Sequence, residues 1–204
     1  MKKIFPFGLL LILMLLMSSP AAADDFARLR DESANIKTIR ARFIQKKFMK
    51  ILSRPLVSDG KFYYAAPASF RWEYVAPVKS IALAYKGEVK KYSQSGGKMV
   101  EDQTGGARAM KIVLNDVLAW MSGHFDQNPA FAATLREGTY TEITLKPVGD
   151  NFAGLLEKIE IIVARKDRTI KSIKITENKN DYTLIEFKDV EVNQPVSDSV
   201  FQVI

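Results

Sequence analysis

The apolar residues of this 204-residue chain change their spacing several times, and each change marks an element. Residues 4 to 17 (IFPFGLLLILMLLM) are almost wholly apolar, follow Lys2 and Lys3, and lead into Ser18-Ser19-Pro20-Ala21-Ala22-Ala23, where small residues stand in an Ala-x-Ala pattern. A positive start, a short apolar run and a small-residue site predict a secretory signal peptide over 1–23, cleaved after Ala23. The run is short for a membrane anchor, and no stop-transfer pattern follows it. Residues 24 to 38 then set Phe26, Leu29 and Ile36 among charges, with acids at the start, which predicts an amphipathic helix.

After this helix the apolar period shortens to two. Runs rich in aromatic and β-branched residues are punctuated by Asp59-Gly60, Ala66-Pro67, Ala76-Pro77 and Lys86-Gly87, the texture of an antiparallel meander. Strands are expected near residues 39–52, 56–65, 69–75, 80–86 and 88–94. Alternation is cleanest at Phe70, Trp72 and Tyr74, with Ser69, Arg71 and Glu73 between them, so one face of that strand is wholly aromatic. The meander breaks at residues 103 to 123: Gln103-Thr104-Gly105-Gly106 predicts a hinge, and Ala107 to Met121 a helix that is apolar almost all round and ends before Gly123. Such a helix must be covered on more than one side, or must sit against something apolar that the chain does not fully supply. Strands resume near 130–137, 139–146, 157–165, 170–177 and 182–192, separated by turn residues such as Glu137-Gly138 and Lys166-Asp167. With no solenoid-period repeat and no long linker, the prediction is one domain over 24–204, mainly β (α+β): a large curved antiparallel sheet with two helices.

Composition narrows the chemistry. The chain has no cysteine, one histidine and a formal charge of +7; removing the predicted signal and its two lysines leaves 204 − 23 = 181 residues and a charge of +5. Without cysteine there is no thiol chemistry, no disulfide, no cysteine zinc site and no lipidation after the apolar run. Basic residues such as Lys46-Lys47, Lys90-Lys91 and Arg165-Lys166 are scattered among acids, so no nucleic-acid surface is expected; the charge fits a solvated face, or attraction to an anionic membrane or an acidic partner. His124, with Ser122 and Asp126 two residues either side, is read as a capping or surface histidine, because a triad needs a geometry that such close neighbours in a loop rarely reach. No calcium loop, phosphate loop or second histidine is present, so no catalytic residue, metal or cofactor is expected. What the chain does supply is 12 Phe, 7 Tyr, 2 Trp and 7 Met. Ordinary core accounts for any one of these, but a curved sheet covered by one or two helices also tends to enclose room for an apolar ligand.

One ordered set of residues is more specific. Phe43-x-Gln45, Ser58-x-Gly60-x-Phe62, Pro67-x-x-Phe70-Arg71-Trp72-Glu73-Tyr74-x-x-Pro77, the Gly87 turn and Tyr92 resemble the periplasmic lipoprotein carrier family LolA, with the later strands matching in texture. The resemblance implies an unclosed, strongly curved antiparallel β-barrel with a helical lid over an apolar cavity. Phe43, Phe62, Phe70, Trp72 and Tyr74 would then form the acyl cavity, Met110, Val113, Leu114, Val117, Leu118 and Met121 the lid, and Gly105 and Gly106 its hinge. It further implies a periplasmic monomer that takes lipoprotein or other acylated cargo from an inner-membrane release complex or exporter and passes it to an outer-membrane receptor. One position departs: the family commonly has arginine before the motif's proline, and here it is Ala66. Carriers of another exported lipid, such as a glycolipid or polyene lipid, therefore stay open, as does a periplasmic adaptor or sensor that binds a protein partner. Burying a long acyl chain at about 0.8 kcal/mol per CH₂ approaches roughly 10 kcal/mol, so a carrier that must release its cargo needs a lid that competes for the cavity. Trp72→Glu is expected to abolish binding and to leave folding largely intact.

Overall fold

The computed structural model describes residues 21–102, 115–149, 152 and 154–202. Its elements are α1 (Ala21–Ser33), β1 (Thr38–Phe48), β2 (Leu56–Ala65), β3 (Ser69–Ala76), β4 (Ser80–Tyr85), β5 (Glu88–Ser95), β6 (Lys98–Glu101), helical residues 115–121 (α2), β7 (Phe131–Glu137), β8 (Thr141–Pro147), β9 (Lys158–Val163), β10 (Ile170–Thr176), β11 (Tyr182–Val192) and a 3₁₀ helix, Asp198–Phe201. All eleven strands lie in one antiparallel sheet of order β6-β5-β4-β3-β2-β1-β11-β10-β9-β8-β7. The edges β6 and β7 do not pair, so the barrel stays open, and the connection between them runs through α2. The predicted hinge Gly105-Gly106, the lid residues Met110, Val113 and Leu114, and most of the predicted signal lie outside the described residues.

The alternation read from the sequence becomes the two faces of the sheet. Ile39, Ala41 and Phe43 of β1, Phe62 and Tyr64 of β2, Phe70 and Trp72 of β3, and Ile185 and Phe187 of β11 point to the concave face and are buried there. Val117, Trp120 and Met121 of α2, with Phe26 and Leu29 of α1, pack into the same core. The convex face has a second, smaller core. Ile81 and Leu83 of β4 are covered by Phe201, which is 1% exposed and stacks on Tyr85 at 6.0 Å. Arg71 fastens this C-terminal segment to β3: its guanidinium donates to the carbonyls of Val200 (3.1 Å) and Gln202 (3.3 Å) and to the Glu73 carboxylate (2.8 Å).

The main differences from the sequence expectation are two boundaries and two short elements. The first helix ends at Ser33, not 38, because Ile36 must be buried and Asn193 takes over the backbone there, accepting from Lys37 N and donating to the Asn35 carbonyl. Strand β1 stops at Phe48, not 52, since 49–55 turn back into β2. The four-residue β6 and the C-terminal 3₁₀ helix were not foreseen. Both are too short for periodicity to announce them.

Candidate functional site

A cavity of about 440 Å³ lies between the concave face and α2. Its floor is Trp72, Ala82, Ile173 and Ile185, and Val117 and Trp120 cover it from α2. Towards one end the wall turns partly polar, with Gln45, Lys47, Tyr74, Asp116 and Thr183 beside Phe131, Ile159 and Ile175. The volume falls in the range of roughly 300–1,000 Å³ usual for small-molecule sites, and the mostly aliphatic and aromatic wall suits an apolar ligand.

Register shows which end this is. Lys47 pairs with Thr183, Thr183 with Ile175, and Ile175 with Ile159. That rung is the last but one before the β1–β2 hairpin and the β10–β11 turn, so the cavity occupies the half of the barrel towards those turns. The opposite end is filled by α1, where Arg30 pairs with Asp126 at 2.8 Å, Arg28 with Glu137 at 3.3 Å, and Glu32 with Arg168. Gly123 makes this closure possible. It takes φ +80°, and a Cβ there would stand 2.9 Å from Arg30 Cα and 3.0 Å from the Leu29 carbonyl, so only glycine lets the chain after α2 touch α1.

Of the residues singled out from the sequence, Trp72, Tyr74 and Val117 line the cavity. Phe43, Phe62 and Phe70 are on the same concave face but fully buried beside the cavity, towards the α1 end: Phe43 meets Trp72 at 4.8 Å and Tyr74 at 5.1 Å, and Phe62 meets Trp72 at 5.4 Å. Leu118 is half-buried against the core, and Met121 faces a small void near Phe62 and Phe187 instead of the main cavity. Trp72 also packs on Phe187 at 5.8 Å, so Trp72→Glu would bury a carboxylate among three aromatic rings and cost stability as well as binding. Ala66 is exposed in the β2–β3 turn, at the α1 end of the sheet, and has no side chain to reach a helix. Trp120, Phe131, Ala82, Lys47 and Asp116 were not foreseen as wall residues. Their strands and helix were legible, but which rung of an alternating strand borders empty space depends on how far α2 covers the sheet.

The polar wall groups are tied down. The Tyr74 hydroxyl donates to Gln45 Oε1 at 2.8 Å, and Lys47 pairs with Glu177 at 2.9 Å. Burial raises the Tyr74 hydroxyl's pKa above its ordinary value; the nearby Trp72 indole acts in the other direction, although its Nε1–H completes no hydrogen bond in the protein. Burial likewise raises the Asp116 carboxyl, partly offset by a hydrogen bond from Asn128 at 2.9 Å. Among the described residues the His124 ring bonds to Ser122 at 3.1 Å, while Asp126 is engaged by Arg30, so these three residues form no relay.

A family model described as outer membrane lipoprotein carrier protein LolA matches residues 34–204. An outer-membrane lipoprotein carrier protein of Pseudoalteromonas translucida (strain TAC 125) is 22% identical over 199 residues, covering 95% of this chain and 89% of that protein. Among solved structures, the Pseudomonas aeruginosa MucA/MucB complex matches with a TM-score of 0.55 at 11% identity, over 89% of this chain and 60% of that one. An uncharacterized conserved protein from Thermus thermophilus also gives 0.55, at 10% identity, over 88% of this chain and 91% of that one.

Proposed function

The chain belongs to the outer membrane lipoprotein carrier (LolA) family, and on that premise we propose that it is a periplasmic carrier that shields acyl chains in the cavity beneath α2 and delivers them from the inner to the outer membrane. The observation that carries this reading is the apolar cavity of about 440 Å³ flanked by a packed aromatic layer. A rigid floor of Trp72, Ile173 and Ile185 presents area to a hydrocarbon chain without reshaping itself, and Val117 and Trp120 on the connection between the two unpaired edges are placed to cover what enters. An acyl chain would leave water at about 0.8 kcal/mol per CH₂, and closure of α2 residues over the empty space would offset part of that gain. The role is one of binding and release, with no bond made or broken.

Ala66 supports a second reading of the cargo. The residue before Pro67 has no side chain with which to hold a helix, which favours a carrier whose lid is not latched there and whose cargo is another acylated lipid, such as a glycolipid or polyene lipid, loaded by a dedicated exporter. Mass spectrometry of organic extracts from protein purified without detergent tests both. Acylated lipid in the extract supports a carrier, and its headgroup separates lipoprotein from other lipid cargo. A clean extract, together with no binding of a fluorescent fatty acid, overturns the carrier and leaves the adaptor reading.

A further inference from the structure

The cavity end of the barrel has a surface of its own. Among the described residues, nine large hydrophobic side chains are exposed, and seven sit on turns or strand ends at that one end. The β1–β2 hairpin carries four: Ile51 (81% exposed), Leu52, Leu56 and Val57. Val78 (65%) lies in the adjacent β3–β4 turn, and Val148 and Leu155 (72%) in the β8–β9 loop across the mouth. At the far end only Tyr140 is comparably exposed among the described residues.

Cations are interleaved with these tips. The hairpin reads Lys50-Ile51-Leu52-Ser53-Arg54-Pro55-Leu56-Val57, Lys79 follows Val78, Lys146 stands at the end of β8 two residues before Val148, and Lys179 stands on the β10–β11 turn. Arg54, Lys79, Lys146 and Lys179 are exposed and form no ion pair among the described residues. The acids at this end are fewer. Glu177 is paired with Lys47, Asp181 is bonded to the Lys50 backbone and Asn178, Asp116 lies on the cavity wall and accepts from Asn128, and Glu157 is exposed. At the α1 end Arg28, Arg30 and Arg168 are each matched by a carboxylate, and although Lys86 and Lys166 are exposed there without an ion pair among the described residues, they have no comparable set of apolar tips beside them.

We propose that this end docks the protein on a bilayer surface bearing anionic headgroups, with Ile51 and Leu52 entering the headgroup–acyl boundary and Arg54, Lys79 and Lys179 meeting phosphates around the mouth. Apolar tips on three separate turns make a discontinuous ring, not the groove that a peptide or helix would need. A planar, deformable and negatively charged surface meets all three turns at once, through shallow apolar insertion and basic contacts. Docking in this pose would set the polar wall of Gln45, Lys47 and Asp116 at the lipid interface. The docking rests on surface residues alone and stands whether or not the cavity takes acyl chains.

Flotation of the protein with vesicles of phosphatidylcholine, with and without phosphatidylglycerol, tests it. Binding is expected with the anionic vesicles, falling as salt is added, and little with phosphatidylcholine alone. Leu52→Asp and Arg54→Glu should each weaken it by about tenfold or more. Lys166→Glu, the same charge reversal on the exposed β9–β10 turn at the far end, should stay within about twofold of the parent, because its distance exceeds the screening length. Unchanged thermal unfolding of each variant shows that the fold is kept. Binding of a fluorescent fatty acid measured without vesicles separates failure of docking from failure of the cavity. The proposal is overturned if neither vesicle binds, if Lys166→Glu weakens binding as much as Arg54→Glu, or if Leu52→Asp changes nothing. A protein partner captured through the hairpin, with no vesicle binding, overturns it in favour of a proteinaceous dock.

Discussion

Gly60 ties the sequence motif to the wall of the cavity, and Gly60→Ala measures how tightly. The residue pairs with Phe43 of β1 on one side and Tyr74 of β3 on the other. A Cβ at this position would lie 2.1 Å from the Glu73 carbonyl oxygen, 2.4 Å from Phe43 Cζ and 2.6 Å from Phe43 Cε1, where real contacts begin at 3.0 Å. The carbonyl must therefore retreat by 3.0 − 2.1 = 0.9 Å and the ring by 3.0 − 2.4 = 0.6 Å. Neither is free to move: the carbonyl belongs to the β3 backbone, and the fully buried Phe43 ring is held between Trp72 and Tyr74. Overpacking costs typically 1–3 kcal/mol, and a backbone obstacle puts this case at about 3. Lower entropy of the unfolded chain returns roughly 0.4–1 kcal/mol, leaving a net loss of about 2–2.6. With a urea m-value of about 2 kcal/mol/M, the unfolding midpoint followed by tryptophan fluorescence should fall by roughly 1–1.3 M. In a Phe43→Leu background the added cost of Gly60→Ala should shrink only in part, because the nearer obstacle is the carbonyl. A midpoint that does not move, or complete rescue by Phe43→Leu, would refute the reasoning.

Ala82→Trp places an indole in the cavity from its floor, so fatty-acid probe affinity should fall by about tenfold or more with no loss of unfolding midpoint, since the new ring enters existing space. Asp116→Asn removes the one carboxylate on the described cavity wall. Because burial raises the Asp116 pKa in the fold, the protonated form is favoured there: its stability contribution is present below the ordinary value of 3.8 and is lost as pH rises through the folded value. Relative to Asp116→Asn, the parent should therefore lose stability as pH climbs through that window, and urea titrations of both proteins across pH read the difference; Asp181 and Glu186, whose carboxyls are held below their ordinary values, contribute the opposite slope to both proteins. Phe201→Ala should cost about 3–5 kcal/mol by emptying the convex core, yet leave probe affinity in the surviving fold unchanged, because Phe201 lies on the face of the sheet away from the cavity.

Strands whose neighbours supply the burial they advertise were easiest to read. Phe70, Trp72 and Tyr74 alternate with Arg71 and Glu73, and that period assigned both faces of β3 correctly. The same alternation could not separate wall from support. Phe43 and Gln45 lie on one face of one strand, two residues apart, and the first is sealed by Trp72, Tyr74 and the bare Gly60 while the second borders the cavity; the difference is set by neighbours on other strands. The role of Arg71 was hidden for a similar reason. Its face was evident, but its partners are the carbonyls of Val200 and Gln202, about 130 residues on, in a segment without periodicity. The mouth went unnoticed because Ile51, Leu52, Leu56 and Val57 sat inside or beside predicted strands, where apolar residues draw no attention until the turns leave them exposed.

The two cores explain how a sheet can leave part of its concave face unfilled. A single-layer sheet with a cavity on one side lacks the packing that ordinarily fixes its curvature. Here β3 and β4, which supply Trp72, Tyr74 and Ala82 to the cavity, are braced from behind by Phe201, Ile81 and Leu83, and Arg71 fixes the covering segment at two carbonyls. Next to them, β1 and β2 are braced from within by Phe43, whose ring occupies the place of the missing Gly60 side chain. The wall thus draws its rigidity from contacts that no cargo needs to make. The covering residues Val117 and Trp120 are carried on the connection between the two edge strands, and not on the strands that form the wall. On that division, Phe201→Ala should lower stability without touching affinity, and Ala82→Trp should do the reverse. Coupling between the two in a double-mutant cycle should stay within about 0.5 kcal/mol.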